Sequence, residues 1–204
     1  GARFAPQALS EGACIAVVRR GAAPAPGAGQ AVVEVTDPLA ALQALAAHER
    51  TQFRGLVVGV TGSNGKTTTK DMIVAAVSPA LRVYGSPMSY NSQVGVALSL
   101  LELEHAASVA VIECGISRPG EMDRLQRMVR PDLGVFVNVG DAHLEGLGSR
   151  SVTAREKARL FAWLPADGVV FVPHAETLAA DATAGVGAAV QKVGTAADAA
   201  ALDE

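Results

Sequence analysis

Residues 61–69 read Thr61-Gly62-Ser63-Asn64-Gly65-Lys66-Thr67-Thr68-Thr69, a glycine-rich segment between two apolar ones. The apolar run at residues 56–60 predicts a buried strand, and the spacing of apolar residues over 66–77 predicts a helix. A glycine-rich turn between strand and helix lets backbone N–H groups converge, and the helix N-terminus adds a partial positive charge. The segment therefore predicts a phosphate-binding loop, in which Lys66 reaches the outer phosphates and Thr67 can bind Mg²⁺.

This loop departs from the common P-loop pattern at one position. The common pattern has a glycine five positions before Gly65, where this chain has Val60, so the match is to a shorter variant. A tight turn without a ligand is the alternative interpretation. We favour phosphate binding because strand, loop and helix follow in the required order. The residues expected to contact the nucleotide here are Gly62, Ser63, Asn64, Gly65, Lys66, Thr67 and Thr68.

Composition and charge disfavour several classes of protein. The chain has 204 residues, half of them apolar, and a net charge of −3, so nothing favours nucleic-acid binding. No apolar run reaches the roughly 18 residues of a membrane span, and no signal peptide is visible. Cys14 and Cys114 are too isolated to predict a disulfide framework or a zinc site. These features favour a cytoplasmic protein. Because the chain begins at Gly1 rather than at a methionine, we expect it to be a fragment.

The alternation of apolar runs with helical patterns predicts the fold. Strands are expected at residues 57–60, 82–84, 109–112, 135–139, 169–172 and 190–193, and helices at 66–77, 93–103, 119–129 and 151–163. Runs buried on both faces are typical of parallel sheets, so residues 55–204 predict a three-layer α/β domain of P-loop type. In residues 1–54 we expect strands at 12–18 and 32–35, a helix with Asp37 as N-cap, and a linker at 50–54.

Polar side chains follow two of the predicted strands. Glu113 follows the strand at 109–112, Asn138 lies at the end of the strand that starts at 135, and Asp141 and His143 lie in the next loop. Ligands of an open parallel sheet bind beyond the carboxyl ends of its strands, so we expect these groups on one rim with the phosphate loop. Mg²⁺ prefers hard oxygen ligands, which makes Glu113 the predicted ligand. A solvated acid and a surface histidine are the alternative interpretations of Glu113 and His143.

Lys157 lies on the apolar stripe of a predicted helix, because Leu160, Phe161 and Leu164 follow it at helical spacing. Two interpretations stay open at this point. The stem of the lysine can pack while its amine reaches water. Alternatively, the amine is desolvated, its pKa is lowered, and it is neutral enough to react.

Four segments resemble the Mur ligases, the family that builds the peptide of bacterial cell-wall precursors. The Ser63-Asn64 pair and the tail that ends at Lys70 are most similar to the branch that adds D-alanyl-D-alanine. The related folylpolyglutamate synthases usually carry Gly-Lys-Gly-Ser at the loop, which this chain lacks. The four segments are residues 62–70 (GSNGKTTTK), 113–122 (ECGISRPGEM), 138–145 (NVGDAHLE) and 156–161 (EKARLF).

The resemblance implies roles for individual residues. Lys66 and Thr67 would bind the ATP phosphates. Thr67 and Glu113 would be ligands of the first of two Mg²⁺ ions. His143 would be a ligand of the second ion, together with Lys157 carrying a carbamate derived from CO₂. Asn138 is expected on the nucleotide. The loop Asn91, Ser92 and Gln93 resembles an Asn-Asn-x-Ile-Gly element that approaches the γ-phosphate and the substrate carboxylate, although a helix N-cap at Asn91 or Ser92 is an alternative.

The resemblance also implies an activity. The parent enzyme would use ATP to join D-alanyl-D-alanine to UDP-N-acetylmuramoyl-tripeptide as a cytoplasmic monomer, with residues 1–54 holding part of the UDP-sugar substrate. The present chain alone is expected to be inactive, because the family's C-terminal domain is missing from it. Variants at residues 89–95 and 114–122 resemble members fused to an alanine racemase. The alternatives are another ligase of the family, adding a diamino acid or glutamate, and a P-loop switch module that binds nucleotide without ligating anything.

Overall fold

The computed structural model describes residues 2–141 and 144–194. The chain forms two compact units, Gly1–Leu45 and Ala46–Glu204, which are described separately. The predicted boundary at residue 54 and the role of residues 1–54 in substrate binding stay predictions. Among the described residues, no helix has the length and apolarity needed to cross a bilayer.

The first unit contains two parallel strands and a short helix. Helix α1 (Ala5–Ser10) follows a 3₁₀ turn, and strands β1 (Ile15–Arg19) and β2 (Ala31–Val35) pair with Ile15 opposite Ala31. The small core of this unit consists of Ala5, Leu9, Ala16 and Val18. Both strand predictions are confirmed, whereas α1 was not predicted, because six residues with one proline carry little helical periodicity.

Helix α2 (Pro38–Gln52) begins at the predicted N-cap. Asp37 Oδ1 accepts hydrogen bonds from the backbone N–H groups of Leu39 at 2.9 Å and Ala40 at 3.3 Å. The helix continues to Gln52, so the prediction of a linker from residue 50 is wrong for its first three positions. The physical reason is Arg50, which looks like a polar surface residue but donates to the carbonyls of Val129 and Arg130 and to Asp132.

The second unit is built on a six-stranded sheet in which every paired neighbour is parallel, which confirms the predicted fold class. Its spatial order is β4-β5-β3-β6-β7-β8, so the strand before the phosphate loop lies between the two strands that carry Glu113 and precede Asn138. The strands are β3 (Leu56–Thr61), β4 (Val83–Gly85), β5 (Val109–Glu113), β6 (Leu133–Phe136), β7 (Val169–Pro173) and β8 (Ala189–Val193).

Two predicted boundaries in this unit are wrong by more than two residues. Strand β6 ends at Phe136 rather than at residue 139, because the chain beyond it turns to hydrogen-bond the phosphate loop. The helix predicted over 151–163 ends at Ala158 and continues as a 3₁₀ turn, Arg159–Phe161. The helices are α3 (Lys66–Val77), α4 (Gln93–Leu101), α5 (Glu121–Val129), α6 (Leu144–Leu147), α7 (Arg150–Ala158) and α8 (Thr177–Thr183).

Helices cover the two faces of this sheet unequally. On one face, α3 packs its apolar side on Val58, Val60, Val109 and Val111. Toward β6 and β7 on that face, Leu133, Val135 and Phe171 stay half-buried and line an open apolar groove of about 620 Å³. Their neighbours that point to the opposite face, such as Phe136 and Val170, are fully buried.

Gly134 is required by the packing of that opposite face. A Cβ atom at this position would lie 2.5 Å from the ring of Phe161, which is itself fully buried. We expect Gly134→Ala to lower the free energy of unfolding by about 1–3 kcal/mol through overpacking. Gly185→Ala is the matched control, because a Cβ there meets nothing within 4 Å, and it should change stability by less than about 0.5 kcal/mol. Equal stability of the two variants in urea titrations would contradict this account.

Candidate nucleotide-binding site

The glycine-rich loop connects β3 to α3 at the carboxyl end of the sheet. Gly65 is the N-cap of α3 and has φ +73°, a conformation that favours glycine. At Gly62, a Cβ would lie 2.9 Å from Val137 and 3.2 Å from the backbone nitrogen of Asn138, so only glycine permits this close approach. The first N–H groups of a helix have no acceptor within the helix, which leaves those of α3 able to bind an anion.

The chain that follows β6 holds the loop from one side. Asn138 Oδ1 accepts from the backbone N–H groups of Ser63 at 3.2 Å and Asn64 at 3.0 Å, and Asn138 Nδ2 donates to the carbonyl of Asn64. Ser63 Oγ exchanges hydrogen bonds with the backbone of Gly140. Asn138 therefore shapes the loop in this structure, a role that sequence reasoning missed. Its contact with nucleotide stays a prediction.

Lys66 folds back over the loop. Its Nζ donates to the carbonyls of Gly62 and Ser63, both at 3.1 Å. Burial lowers the pKa of Lys66, and the nearby Glu113 opposes that change. The amine thus lies against the backbone of the loop, and a lysine at this position of a phosphate loop can reach the outer phosphates. Thr68, by contrast, is exposed in the first turn of α3.

A hydroxyl and a carboxylate meet on the other side of the loop. Thr67 Oγ1 donates to Glu113 Oε2 at 2.7 Å, and Glu113 is 1% exposed at the end of β5. Asn91 Nδ2 donates to the other carboxylate oxygen at 2.6 Å, and Ser89 Oγ lies 3.2 Å from Thr67 Oγ1. Ser89 was not predicted.

These donors fit one Mg²⁺ ion. A threonine hydroxyl and a buried carboxylate within hydrogen-bond distance are hard oxygen ligands, and phosphate oxygens supply the others in such sites. Among residues 2–141 and 144–194, no group of three or more histidine, cysteine or acidic side chains forms a complete protein cage for a metal. His143, the predicted ligand of a second ion, lies outside the described residues.

Lys157 approaches the same loop from α7 and is 1% exposed. Its Nζ donates to the carbonyl of Gly62 at 2.6 Å, so the amine does not reach water. Burial and, to a smaller extent, the positive charge of Lys66 together lower the pKa of Lys157 to about 7. The structure therefore favours the desolvated amine over the snorkelling one. The predicted stripe is confirmed, because Leu160, Phe161 and Leu164 are also buried.

The predicted substrate loop lies at the start of α4. Ser92 Oγ accepts from the backbone N–H of Gly95 at 3.2 Å, so Ser92 is the N-cap of that helix. Gln93 Nε2 donates to the carbonyl of Glu121 at 3.0 Å. Beside these residues lies a cavity of about 280 Å³, whose lining includes Lys66, Asn91, Gln93, Gly115, Ser117 and Glu121. Lys66 of the phosphate loop therefore lines a small polar pocket.

Two further residues border the site. Cys114, the residue after Glu113, is fully buried. Burial raises the pKa of its thiol, and the negative charge of Glu113 raises the pKa further. Asp141 is exposed, its Oδ1 lies 4.0 Å from Arg150 Nε, and its side chain forms no hydrogen bond with residues 61–69.

A glycine-rich loop after a central parallel strand, with a lysine over the loop and a threonine–glutamate pair beside it, defines a P-loop nucleotide-binding domain. The chain belongs to the Mur ligase family, since its residues 60–203 match the family model described as the Mur ligase middle domain.

Individual relatives agree with this assignment. The chain is 40% identical over 170 residues to the UDP-N-acetylmuramoyl-tripeptide–D-alanyl-D-alanine ligase of Bacillus subtilis, an alignment that covers 83% of this chain and 37% of the relative. Among solved structures, MurF from Acinetobacter baumannii superposes with a TM-score of 0.83 at 31% identity, covering 94% of this chain and 42% of that one. MurF from Thermotoga maritima, solved in complex with ADP, gives 0.82 at 28% identity, covering 94% and 44%. The chain thus spans about two fifths of the length of the relatives it matches.

The lowered pKa of Lys157 predicts a pH dependence of stability. Between about pH 7 and the ordinary lysine value of 10.5, the unfolded chain holds a proton that the folded chain lacks, so stability rises with pH over that range. Relative to Lys157→Met, the free energy of unfolding should rise by about 2 kcal/mol from pH 7 to pH 9.

Urea titrations in CO₂-free buffer measure this difference. Lys192→Met is the control, because Lys192 is exposed on β8 and its removal should leave the pH dependence of the parent chain intact. A difference between parent and Lys157→Met that stays constant with pH would show that the amine keeps an ordinary pKa.

Proposed function

We propose that this chain is the nucleotide-binding part of an ATP-dependent ligase that joins D-alanyl-D-alanine to UDP-N-acetylmuramoyl-tripeptide. The observation that carries the proposal is the convergence of Lys66, Lys157 and the Thr67–Glu113 pair on one loop. A nucleotide switch needs the lysine and the threonine of the loop, but it has no use for a second buried amine. The relatives named for this ligation support the choice of substrates.

The proposed reaction has two steps. In the first, an oxygen of the tripeptide carboxylate attacks the γ-phosphorus of ATP, a new O–P bond forms, and the bond to ADP breaks, which gives an acyl phosphate. In the second, the amine of D-alanyl-D-alanine attacks the acyl carbon, phosphate leaves through a tetrahedral intermediate, and the amine loses a proton. The first step is phosphoryl transfer, so positioning and charge neutralisation carry most of the catalysis.

The residues of this chain divide that work. Lys66 would bind the outer phosphates, and Thr67 and Glu113 would hold Mg²⁺, which neutralises charge on the phosphates when bound. The polar pocket beside Lys66 has room for the carboxylate that is to be phosphorylated, with Asn91 and Gln93 at its edge. The part in substrate binding assigned to Asn91, Ser92 and Gln93 rests on this proximity and on the family resemblance.

Lys157 is proposed to carry a carbamate. Formation of a carbamate requires a neutral amine to attack CO₂, which forms an N–C bond and releases one proton from the nitrogen to water. A pKa of about 7 leaves much of this amine neutral at physiological pH. The modification would replace a cation that Lys66 repels with an anion that Lys66 attracts. Such an anion is suited to a second Mg²⁺ region, in which His143 is the other proposed ligand.

The remaining expectations stay predictions. They concern residues 1–54 as part of the UDP-substrate domain, a monomeric state, a cytoplasmic location and fusion to an alanine racemase. Because the chain covers only about two fifths of its relatives, we expect it to bind nucleotide weakly and to need the rest of such a chain for ligation.

Phosphate release separates the proposal from its alternatives. In a chain that extends these residues to the length of the relatives, we expect release of phosphate from ATP only when UDP-N-acetylmuramoyl-tripeptide and D-alanyl-D-alanine are both present. Lys66→Ala should abolish it, since the outer phosphates lose their cation. Release that needs neither substrate would favour a switch, and release that needs a diamino acid or glutamate would favour another ligase of the family.

The carbamate can be observed directly. With ¹³C-labelled bicarbonate, the parent chain should give a carbamate carbonyl signal in the NMR spectrum, and Lys157→Arg should lack it. Lys192→Arg is the control and should retain the signal. Lys192 is exposed and lies on β8, three strands away from β3 in the sheet. In the longer enzyme, Lys157→Glu should keep more activity than Lys157→Ala or Lys157→Arg. Full activity of Lys157→Arg would contradict the anionic role.

A further inference from the structure

Lys70 is a buried cation that the proposed chemistry does not use. It lies in α3 one turn after Lys66 and Thr67, and it is 3% exposed. Its Nζ donates to the carbonyls of Ser86 at 2.8 Å and Met88 at 2.9 Å, and it lies 3.1 Å from Asp71 Oδ1. Two of the three N–H donors of this ammonium go to the two carbonyls, and the Asp71 carboxylate pairs with its charge. Lys70 is therefore engaged with protein groups rather than directed at a ligand.

The two carbonyls belong to the loop of residues 86–91, which delivers side chains to the proposed Mg²⁺ ligands. Ser89 Oγ lies 3.2 Å from Thr67 Oγ1, and Asn91 Nδ2 donates to Glu113 Oε1. The start of the loop also touches Glu113, because Ser86 Oγ accepts from the Glu113 backbone N–H at 3.2 Å. The position of this loop thus affects both Thr67 and Glu113.

Helix geometry explains why Lys70 is suited to hold the loop. Thr67 and Lys70 are three residues apart, so they lie on the same face of α3. One helix therefore presents both the hydroxyl that would bind the metal and the ammonium that holds the loop. Met88 has φ +44°, a left-handed conformation that a methionine adopts only when its surroundings impose it. The hydrogen bond from Lys70 to the Met88 carbonyl is one such constraint.

We propose that Lys70 is a positioning residue for the Mg²⁺ site. It holds the loop of residues 86–91 on α3, so that Asn91 and Ser89 keep Glu113 and Thr67 in the arrangement that binds the ion. In this role Lys70 would act through the loop, because its recorded partners are the Ser86 and Met88 carbonyls and Asp71. This inference rests on the proposed function, because the Mg²⁺ in question is the one that accompanies ATP.

Calorimetric titration of the chain with ADP, with and without Mg²⁺, tests the proposal. Partners that orient a metal ligand typically contribute 10–100-fold to metal affinity. We expect Lys70→Met to bind ADP without Mg²⁺ within about twofold of the parent affinity. The ratio of ADP affinity with Mg²⁺ to that without it should be about 10–100-fold smaller in Lys70→Met than in the parent chain. Lys70→Arg keeps the cation and its donors and should recover most of that gain. Lys192→Met removes an exposed lysine and should match the parent.

The outcomes separate this inference from the proposed function. If Lys70→Met retains the full gain from Mg²⁺, or loses affinity for ADP equally with and without the ion, Lys70 has no positioning role. If the parent chain binds ADP under neither condition, its proposed role as the nucleotide-binding part is wrong. Hydrogen exchange then still decides the placement of the loop, since Lys70→Met should speed exchange at residues 86–91 and Lys192→Met should not. If Lys70→Met fails to fold, Lys70→Gln replaces it in each comparison.

Discussion

One backbone carbonyl, that of Gly62, connects the parts of the site. It accepts a hydrogen bond from Lys66, at the start of α3, and another from Lys157, on α7. Two ammonium groups this close repel each other, and burial already disfavours the charge on Lys157. The repulsion between the two groups is removed when one amine is neutral or carries a negative group. The same contact attaches the helix that follows β6 to the turn that follows β3, so the charge state of Lys157 bears directly on the phosphate loop.

The order of the strands explains how the loop is supported from both sides. Because β3 lies between β5 and β6, Glu113 reaches Thr67 from one neighbour, and Asn138 reaches Ser63 and Asn64 from the other. Each support is a side chain placed just where a parallel strand ends, the position at which open α/β sheets bind ligands. The short loop can therefore depart from the common glycine pattern at Val60 and still keep a defined shape. Its conformation is fixed by partners far away in sequence as much as by its own glycines.

The sequence predicted the elements better than their contacts. Runs such as residues 109–112 are buried on both faces, so their strand character is visible without a structure. Glu113 and Lys157 could also be selected, since a carboxylate at a strand end and a lysine on an apolar stripe are conspicuous locally.

The contacts of Ser89 and the structural role of Asn138 could not be predicted, because each depends on which strands become neighbours. Lys70 lay in a recognised motif, yet nothing nearby in sequence shows that its acceptors come from residues 86 and 88. Strand β6 was extended too far because Val137 and Val139 continue the apolar run after the chain has turned.

The burial of Cys114 gives the site an internal reporter. Its thiol is inaccessible and lies directly after Glu113, whereas Cys14 is exposed in the other unit. A thiolate is the form that reacts with alkylating reagents, and burial strongly disfavours it at Cys114. Reagents will therefore modify Cys14 in the native protein and reach Cys114 only when the end of β5 opens. The rate of the second alkylation measures the opening of this region, and a bound molecule that holds β5 closed will slow it without any label having been introduced.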